Sequence, residues 1–107
     1  MKKQSAEAWT LLGTPKAGGV VIISDHASSR VPDDVDLGID KSLLSKHIAV
    51  DIGVAEVAEY MVAGGHADAA ILGGVSRLVL DCNRDEDAAG LIPATSDGHE
   101  IMGNRLD

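Results

Sequence analysis

The stretch 76–84 constrains the fold most, because an apolar run there is followed directly by clustered polar and charged side chains. Residues 78–80 have the branched aliphatic character of a buried β-strand, and the end of such a strand holds polar side chains rigidly. Asp81, Asn83 and Arg84 would stand at that end, where a guanidinium can grip a carboxylate through two hydrogen bonds. The stretch therefore predicts a strand that ends at a carboxylate-binding site; alternatively, Asp81 and Arg84 form a simple ion pair in a solvated turn.

Composition excludes several classes of protein. A chain of 107 residues with 45% hydrophobic residues predicts one folded domain. A net charge of −8 repels phosphate backbones, and 2% aromatic residues leave no stacking platform for bases, so no nucleic-acid partner is expected. Cys82 is the single cysteine, which excludes an internal disulfide and fits a reducing compartment. Without an apolar leader or a membrane-length segment, the sequence predicts a cytoplasmic protein with no membrane partner.

Two further apolar runs predict strands. Four consecutive branched aliphatics at 20–23 predict a buried strand that ends on Asp25 and His26. A second short run at 69–72 lies close enough in sequence to 76–84 for the two to pair. The predicted fold class is α/β, with a partial mixed sheet of about three strands and one main amphipathic helix.

That helix is predicted at 52–62, where apolar residues recur at helical spacing and the pair Gly64-Gly65 ends the pattern. Asp40 is expected to cap a short helical turn that starts at Lys41. Residues 1–18 read as a weakly packed lead-in. The last residues, 101–107, predict no closing strand or helix.

Two histidines are candidate metal ligands. His26 stands beside Asp25 at a strand end, so it is either a ligand oriented by a carboxylate or a hydrogen-bonded loop residue. His47 and Asp51 are four residues apart, so they share a face if the chain is helical there and do not if it is irregular.

The other nucleophilic and imidazole side chains carry weaker signals. His66 follows the predicted helix stop and is expected to be exposed, and His99 lies in a turn signal. Cys82 is expected to be buried packing rather than a nucleophile, because nothing nearby in the sequence would lower the pKa of its thiol.

Four blocks of sequence, in order, carry a resemblance to a known family. They are Asp25-His26-Ala27-Ser28 with Val31-Pro32, residues 47–53, residues 76–84, and Ser96-Asp97-Gly98. Together they resemble the N-formylglutamate amidohydrolase family, over positions 25 to 104. The resemblance implies a fold like that of zinc carboxypeptidases and succinylglutamate desuccinylases. It also implies hydrolysis of N-formyl-L-glutamate to glutamate and formate by a metal-activated water, a step of histidine degradation.

The resemblance also implies roles for individual residues. His26 is then a metal ligand, and Asp51 is a second ligand or orients one. The metal is zinc or another divalent transition metal. The substrate's carboxylates are then held by Arg77, Asn83 and Arg84. One departure is Val50, which stands where the family pattern has tryptophan.

Length is the larger departure, because the resemblance covers only the first half of the longer family members. A further histidine ligand and the general base are expected in the second half, so the chain is expected to be truncated and weakly active or inactive alone. His99 is an alternative third ligand.

Two other possibilities are a non-catalytic module that binds dicarboxylates, and half of an assembly. In the latter, self-association or a complementing chain covers an exposed sheet edge.

Overall fold

A computed structural model describes residues 3–5 and 8–105, and only the backbone of residues 3–5. Within these ranges the chain forms six strands, one α-helix and two short 3₁₀ helices. The strands are β1 (Lys3–Ser5), β2 (Trp9–Gly13), β3 (Val21–Ser24), β4 (Ala69–Gly73), β5 (Thr95–Ser96) and β6 (His99–Glu100). Helix α1 spans Val54–Ala63, and the 3₁₀ helices span Lys41–Ser45 and Met102–Asn104.

The main sheet has the strand order β1-β2-β4-β3 among the described residues, and β5 and β6 form a separate hairpin. Strand β2 pairs antiparallel with β1 and β4, whereas β3 and β4 are parallel. The parallel pairing requires a long crossover, and α1 lies within it. The predicted α/β class, the mixed sheet and the single main helix are confirmed, and the sheet has one strand more than predicted.

The predicted strand at 76–84 is wrong, because this segment forms turns. The buried hydroxyl of Ser76 donates to the carbonyl of Ala49 at 2.8 Å and accepts from the N–H of Leu78 at 3.1 Å. The first bond ties the segment to residue 49 and the second closes a turn within the segment, so neither belongs to a strand ladder.

Strand β2 was missed in the predicted lead-in. It lies between β1 and β4, and its Leu12 is buried in the core, so the prediction of a weakly packed segment at 1–18 is wrong. Residues 1, 2, 6 and 7 of that segment lie outside the described residues.

Strand β3 was predicted to be buried, but only one of its faces is covered. Ile22 packs against the cluster formed by Leu12, Ala58 and neighbouring residues under α1. Val21 and Ile23 alternate to the other face, where Ile23 is 73% exposed. Strand β3 is the last strand in the sheet order of the described chain, so its outer edge and its second face are open.

Helix α1 follows the predicted pattern. Gly53, with a φ of 90°, precedes it, and Gly64 caps its C-terminus through a hydrogen bond to the carbonyl of Tyr60. Glycine suits the left-handed conformation before the helix because it has no Cβ. Val57, one of the apolar residues of that pattern, is 59% exposed.

A second core lies outside the sheet, between the turn segments. It buries Leu37, Ile48, Ala49, Leu78 and Ile101. The prediction of no closing element after residue 101 is wrong for the described part. The N–H of Gly103, in the last 3₁₀ helix, donates to the carbonyl of Leu37 at 2.8 Å. Leu106 and Asp107 lie outside the described residues.

The predicted cap at Asp40 is confirmed, since its carboxylate accepts from the N–H of Ser42 at 2.9 Å at the start of the first 3₁₀ helix. In the described ranges, no helix is long and apolar enough to cross a membrane.

Candidate active site

His26 lies directly beyond β3 and is 6% exposed. Its φ of 57° places it in the left-handed region, which a residue with a side chain adopts only when its surroundings hold it there. Its carbonyl accepts a hydrogen bond from the N–H of Asp51 at 2.8 Å. The two predicted metal ligands are therefore joined through their backbones.

Both ring nitrogens of His26 are engaged. Nε2 lies 2.6 Å from Oδ1 of Asp81, and Nδ1 lies 2.7 Å from Nη2 of Arg77. Because a guanidinium can only donate, Nδ1 accepts from Arg77, and the neutral ring then donates its Nε2 proton to Asp81. The lone pair of Nδ1 consequently faces Arg77 and Asp51.

Asp51 completes this side of the histidine. Its Oδ2 lies 3.4 Å from Nδ1 of His26, and its Oδ1 accepts a hydrogen bond from Nη2 of Arg77. The alternative in which His47 and Asp51 share a helix face is wrong, since this segment forms a turn. His47 is exposed and lies 3.5 Å from a carboxylate oxygen of Asp97.

Asp81 is the site residue whose function was missed from the sequence. Its carboxylate binds Nε2 of His26, accepts from the N–H of Asn83 at 3.0 Å and lies 3.6 Å from Nε of Arg84. Burial acts to raise the pKa of Asp81, but the bonds from Asn83 and His26 and the charge of Arg84 outweigh it and lower the pKa. The Asp81–Arg84 ion pair, given above as the alternative, forms in a turn, and the same carboxylate also contacts the ring of His26.

Arg77 was predicted to hold the substrate's carboxylates. In the structure its guanidinium contacts side chains of the protein instead. Nη2 contacts both His26 and Asp51, and the side chain is 26% exposed. Its Nε is buried and has no hydrogen-bond partner among the described residues.

An open depression of about 280 Å³ lies beside these groups. It is lined by Ile23, Ser24, Asp25, His26, Asp51, Val54 and Asn83. The structure therefore brings His26, Asp51 and Asn83 to one surface, with Arg77 bonded to the first two. Arg84 is 60% exposed and joins the group through Asp81.

The remaining candidate residues, two histidines and the cysteine, have other contacts. Cys82 is exposed, not buried as predicted, and desolvation together with Asp25 and Asp81 raises the pKa of its thiol, which disfavours a thiolate nucleophile. His66 is exposed, as predicted, and stacks on Tyr60. His99 is exposed in strand β6.

The donors present suit a zinc-type ion in type and orientation. Nδ1 of His26 and the carboxylate of Asp51 face one point, and a carboxylate binds the other ring nitrogen, as is usual for metal-ligating histidines. A catalytic zinc normally takes three protein ligands. Within the described parts of the chain, no group of three or more His, Cys, Asp or Glu residues is placed to hold a metal ion.

Fold and site together define an α/β protein with a histidine–carboxylate site at the carboxyl end of a parallel strand. The family model for N-formylglutamate amidohydrolase matches residues 18–107, and the chain belongs to this family.

The chain is also similar to a protein of known structure. The crystal structure of gene product Atu2144 from Agrobacterium tumefaciens matches with a TM-score of 0.80 and 33% sequence identity. The match covers 94% of this chain and 40% of the Agrobacterium chain, so this chain spans less than half the length of that neighbour. No curated protein matches. The likeness to zinc carboxypeptidases stays a prediction.

Proposed function

We propose that this chain carries the metal-binding and substrate-carboxylate-binding part of a metal-dependent amide hydrolase. The proposed reaction converts N-formyl-L-glutamate and water to glutamate and formate. The observation that carries the proposal is the convergence of Nδ1 of His26 and the Asp51 carboxylate, 3.4 Å apart, while Asp81 holds Nε2. Family membership supports the same chemistry.

The proposed roles divide between the two sides of the imidazole. Asp81 keeps the ring proton on Nε2, so that Nδ1 presents a lone pair to the metal beside Asp51. A bound zinc-type ion would supply water activated near neutral pH and would polarise the formyl oxygen. Asn83 borders the depression and offers an uncharged amide to the substrate.

Electrostatics favour a cation at this site before a dianionic substrate can bind. The depression is lined by Asp25 and Asp51, and the chain carries a net charge of −8. N-formylglutamate carries two carboxylates, which these aspartates repel. A divalent ion on His26 and Asp51 would reverse the local charge. Arg77 and Arg84 would then grip the carboxylates, as guanidiniums do in bidentate pairs.

The test is formate release from N-formyl-L-glutamate by the zinc-supplemented wild-type chain and by His26→Ala, with His66→Ala as the matched control. We expect weak turnover in the wild type and His66→Ala and none in His26→Ala. His66 is a suitable control because it is exposed and its ring stacks on Tyr60, outside the site. Measurable formate release by wild type that is matched by His26→Ala would contradict the proposal.

A second candidate function is dicarboxylate binding without turnover. It is favoured by one observation, the lack of a three-residue ligand group within the described residues. In this case N-formylglutamate binds to the zinc-free chain, binding weakens in Arg84→Gln, and added zinc produces no formate. Isothermal titration of the zinc-free chain with N-formylglutamate separates the two functions.

A further inference from the structure

Arg77 occupies the point at which the two proposed metal ligands converge. Its Nη2 donates to Nδ1 of His26 at 2.7 Å and to Oδ1 of Asp51. Nδ1 carries the lone pair that a metal ion on His26 would take, and Oδ1 belongs to the carboxylate proposed as the second ligand. A guanidinium keeps its charge at all accessible pH values, so it stands there as a permanent cation.

The side chain of Arg77 is positioned to leave this point without unfolding its neighbourhood. The backbone is held separately, because its N–H donates to the carbonyl of Ala49 at 3.2 Å and the adjacent Ser76 hydroxyl binds the same carbonyl. The guanidinium is held through Nη2, while its buried Nε has no partner among the described residues. An unpaired buried donor is unfavourable, so the observed position leaves one group of Arg77 unsatisfied.

We propose that Arg77 is an exchangeable internal cation, and this inference rests on the proposed metal-dependent function. In the metal-free chain its guanidinium neutralises Asp51 and caps Nδ1 of His26. Two cations at this short distance repel, so a metal ion enters only as the guanidinium leaves. The released side chain, already partly exposed, then becomes available to a substrate carboxylate. The exchange accounts for how one arginine contacts protein ligands in one state and substrate in another.

Arg84 provides a matched comparison within the same segment. It carries the same charge, but it is 60% exposed and its Nε lies 3.6 Å from Asp81. None of its described ion pairs or hydrogen bonds reaches His26 or Asp51. Removal of Arg84 therefore lowers the positive charge near the site without freeing either lone pair.

The test is the zinc affinity of wild type, Arg77→Gln and Arg84→Gln, measured by isothermal titration. Arg77→Gln should bind zinc about tenfold more tightly than wild type. This factor corresponds to the free energy of one charge-assisted hydrogen bond, which zinc must replace in the wild type but not in the variant. Arg84→Gln should stay close to wild type. Equal or weaker affinity in Arg77→Gln, with zinc still bound by wild type, would overturn the exchange and leave the proposed function standing. If neither wild type nor Arg77→Gln binds zinc, both are overturned.

A second measurement does not depend on variant folding. Nitrogen-15 NMR of the wild-type chain should show the Nη protons of Arg77 protected in the zinc-free state and exchanging freely once zinc is saturating. The Arg84 signals serve as the internal reference. Arg77 signals that stay protected while zinc is bound would overturn the exchange, even though metal binding is then established.

Discussion

The carboxylate of Asp81 lies 2.6 Å from Nε2 of His26, although 55 positions separate the two residues. This contact fixes the tautomer of the ring and directs Nδ1 toward Asp51. The turns of segment 76–84 therefore place Asp81 beside the ring of His26.

Asp81→Asn tests the contact directly. The amide oxygen can still accept from Nε2 but carries no charge, so it holds the imidazole less firmly. Zinc affinity should fall by roughly 10–100-fold, as is typical for such outer partners of metal ligands. Isothermal titration provides the measurement, with far-UV circular dichroism to verify folding. Unchanged affinity in a folded Asp81→Asn chain would show that the ring is oriented by other groups.

Ser76→Ala is expected to destabilise the fold. The Ser76 side chain is fully buried and bonds both the Ala49 carbonyl and the Leu78 N–H. The Ala49 carbonyl keeps the Arg77 N–H as a donor, so the loss of the hydroxyl leaves the buried Leu78 N–H unpaired. The expected loss is about 1–3 kcal/mol in the free energy of unfolding, measured by urea denaturation. Ser45→Ala is the control, since Ser45 is exposed and should change stability by no more than about 0.5 kcal/mol. Equal losses of unfolding free energy in the two variants would show that the buried hydrogen bonds of Ser76 do not stabilise the fold.

Elements were predictable from the sequence where neighbouring residues determine them, and not where contacts with distant residues do. Helix α1 has helical periodicity and glycine at both ends, so the sequence was sufficient. The segment 76–84 has the apolar run of a strand, but the Ser76 hydroxyl bonds and the packing of Leu78 against Ile101 arise from distant residues. Strand β2 was missed for the same reason, because its partner β4 lies far along the chain.

The site shows the same division between residue identity and geometry. The family resemblance implied that His26, Asp51 and Arg77 are site residues, and in the structure these three side chains are in mutual contact. The direction of each contact was not predictable. Asp81 is separated from His26 by a long stretch of sequence, and only the general need of a ligating histidine for a carboxylate partner pointed to it.

Gly103→Ala is predicted to displace the closing 3₁₀ helix from the second core. A Cβ at this position would clash with the carbonyl oxygen of Asp36 and lie 2.7 Å from backbone atoms of Leu37. The backbone must shift, which should cost roughly 1–3 kcal/mol or more in unfolding free energy. Gly90→Ala is the control, because its Cβ would approach only the Arg84 side chain, at 3.8 Å. Similar stability of both variants in urea would contradict the close approach.

Asp68→Asn should lower stability by an amount that depends on pH, because it removes a carboxylate whose pKa is lowered in the fold. The carboxylate of Asp68 accepts from the Val20 N–H at 2.8 Å and lies 3.2 Å from Nζ of Lys16, and these contacts lower its pKa below 3.8. A folded pKa below the unfolded value stabilises the fold above that unfolded value. The contribution is lost as the pH falls through the lowered folded pKa.

Thermal unfolding across pH checks this prediction. Wild type should have a higher Tm than Asp68→Asn at neutral pH, and the difference should disappear in acid. A constant difference in Tm over the same range would show that the charge of Asp68 contributes nothing.

Ile23→Lys should reduce self-association. Ile23 is 73% exposed on the edge strand β3, and an open edge with apolar side chains is a template for pairing with another chain. Analytical ultracentrifugation of the wild type should show an association that grows with concentration and is lost in Ile23→Lys. Met102→Lys, at another exposed apolar residue, should associate like wild type. A wild-type chain that stays monomeric at all concentrations would contradict this prediction.

The central claim is that His26 and Asp51 hold a divalent metal ion, and its most direct test is metal stoichiometry. Wild type, His26→Ala, Asp51→Ala and the His66→Ala control should be dialysed against zinc, and their bound metal measured by mass spectrometry. The account predicts one zinc per chain in wild type and His66→Ala, and strong loss in His26→Ala and Asp51→Ala. Folded wild type with no zinc above background, or zinc retained in both ligand variants, would contradict the claim.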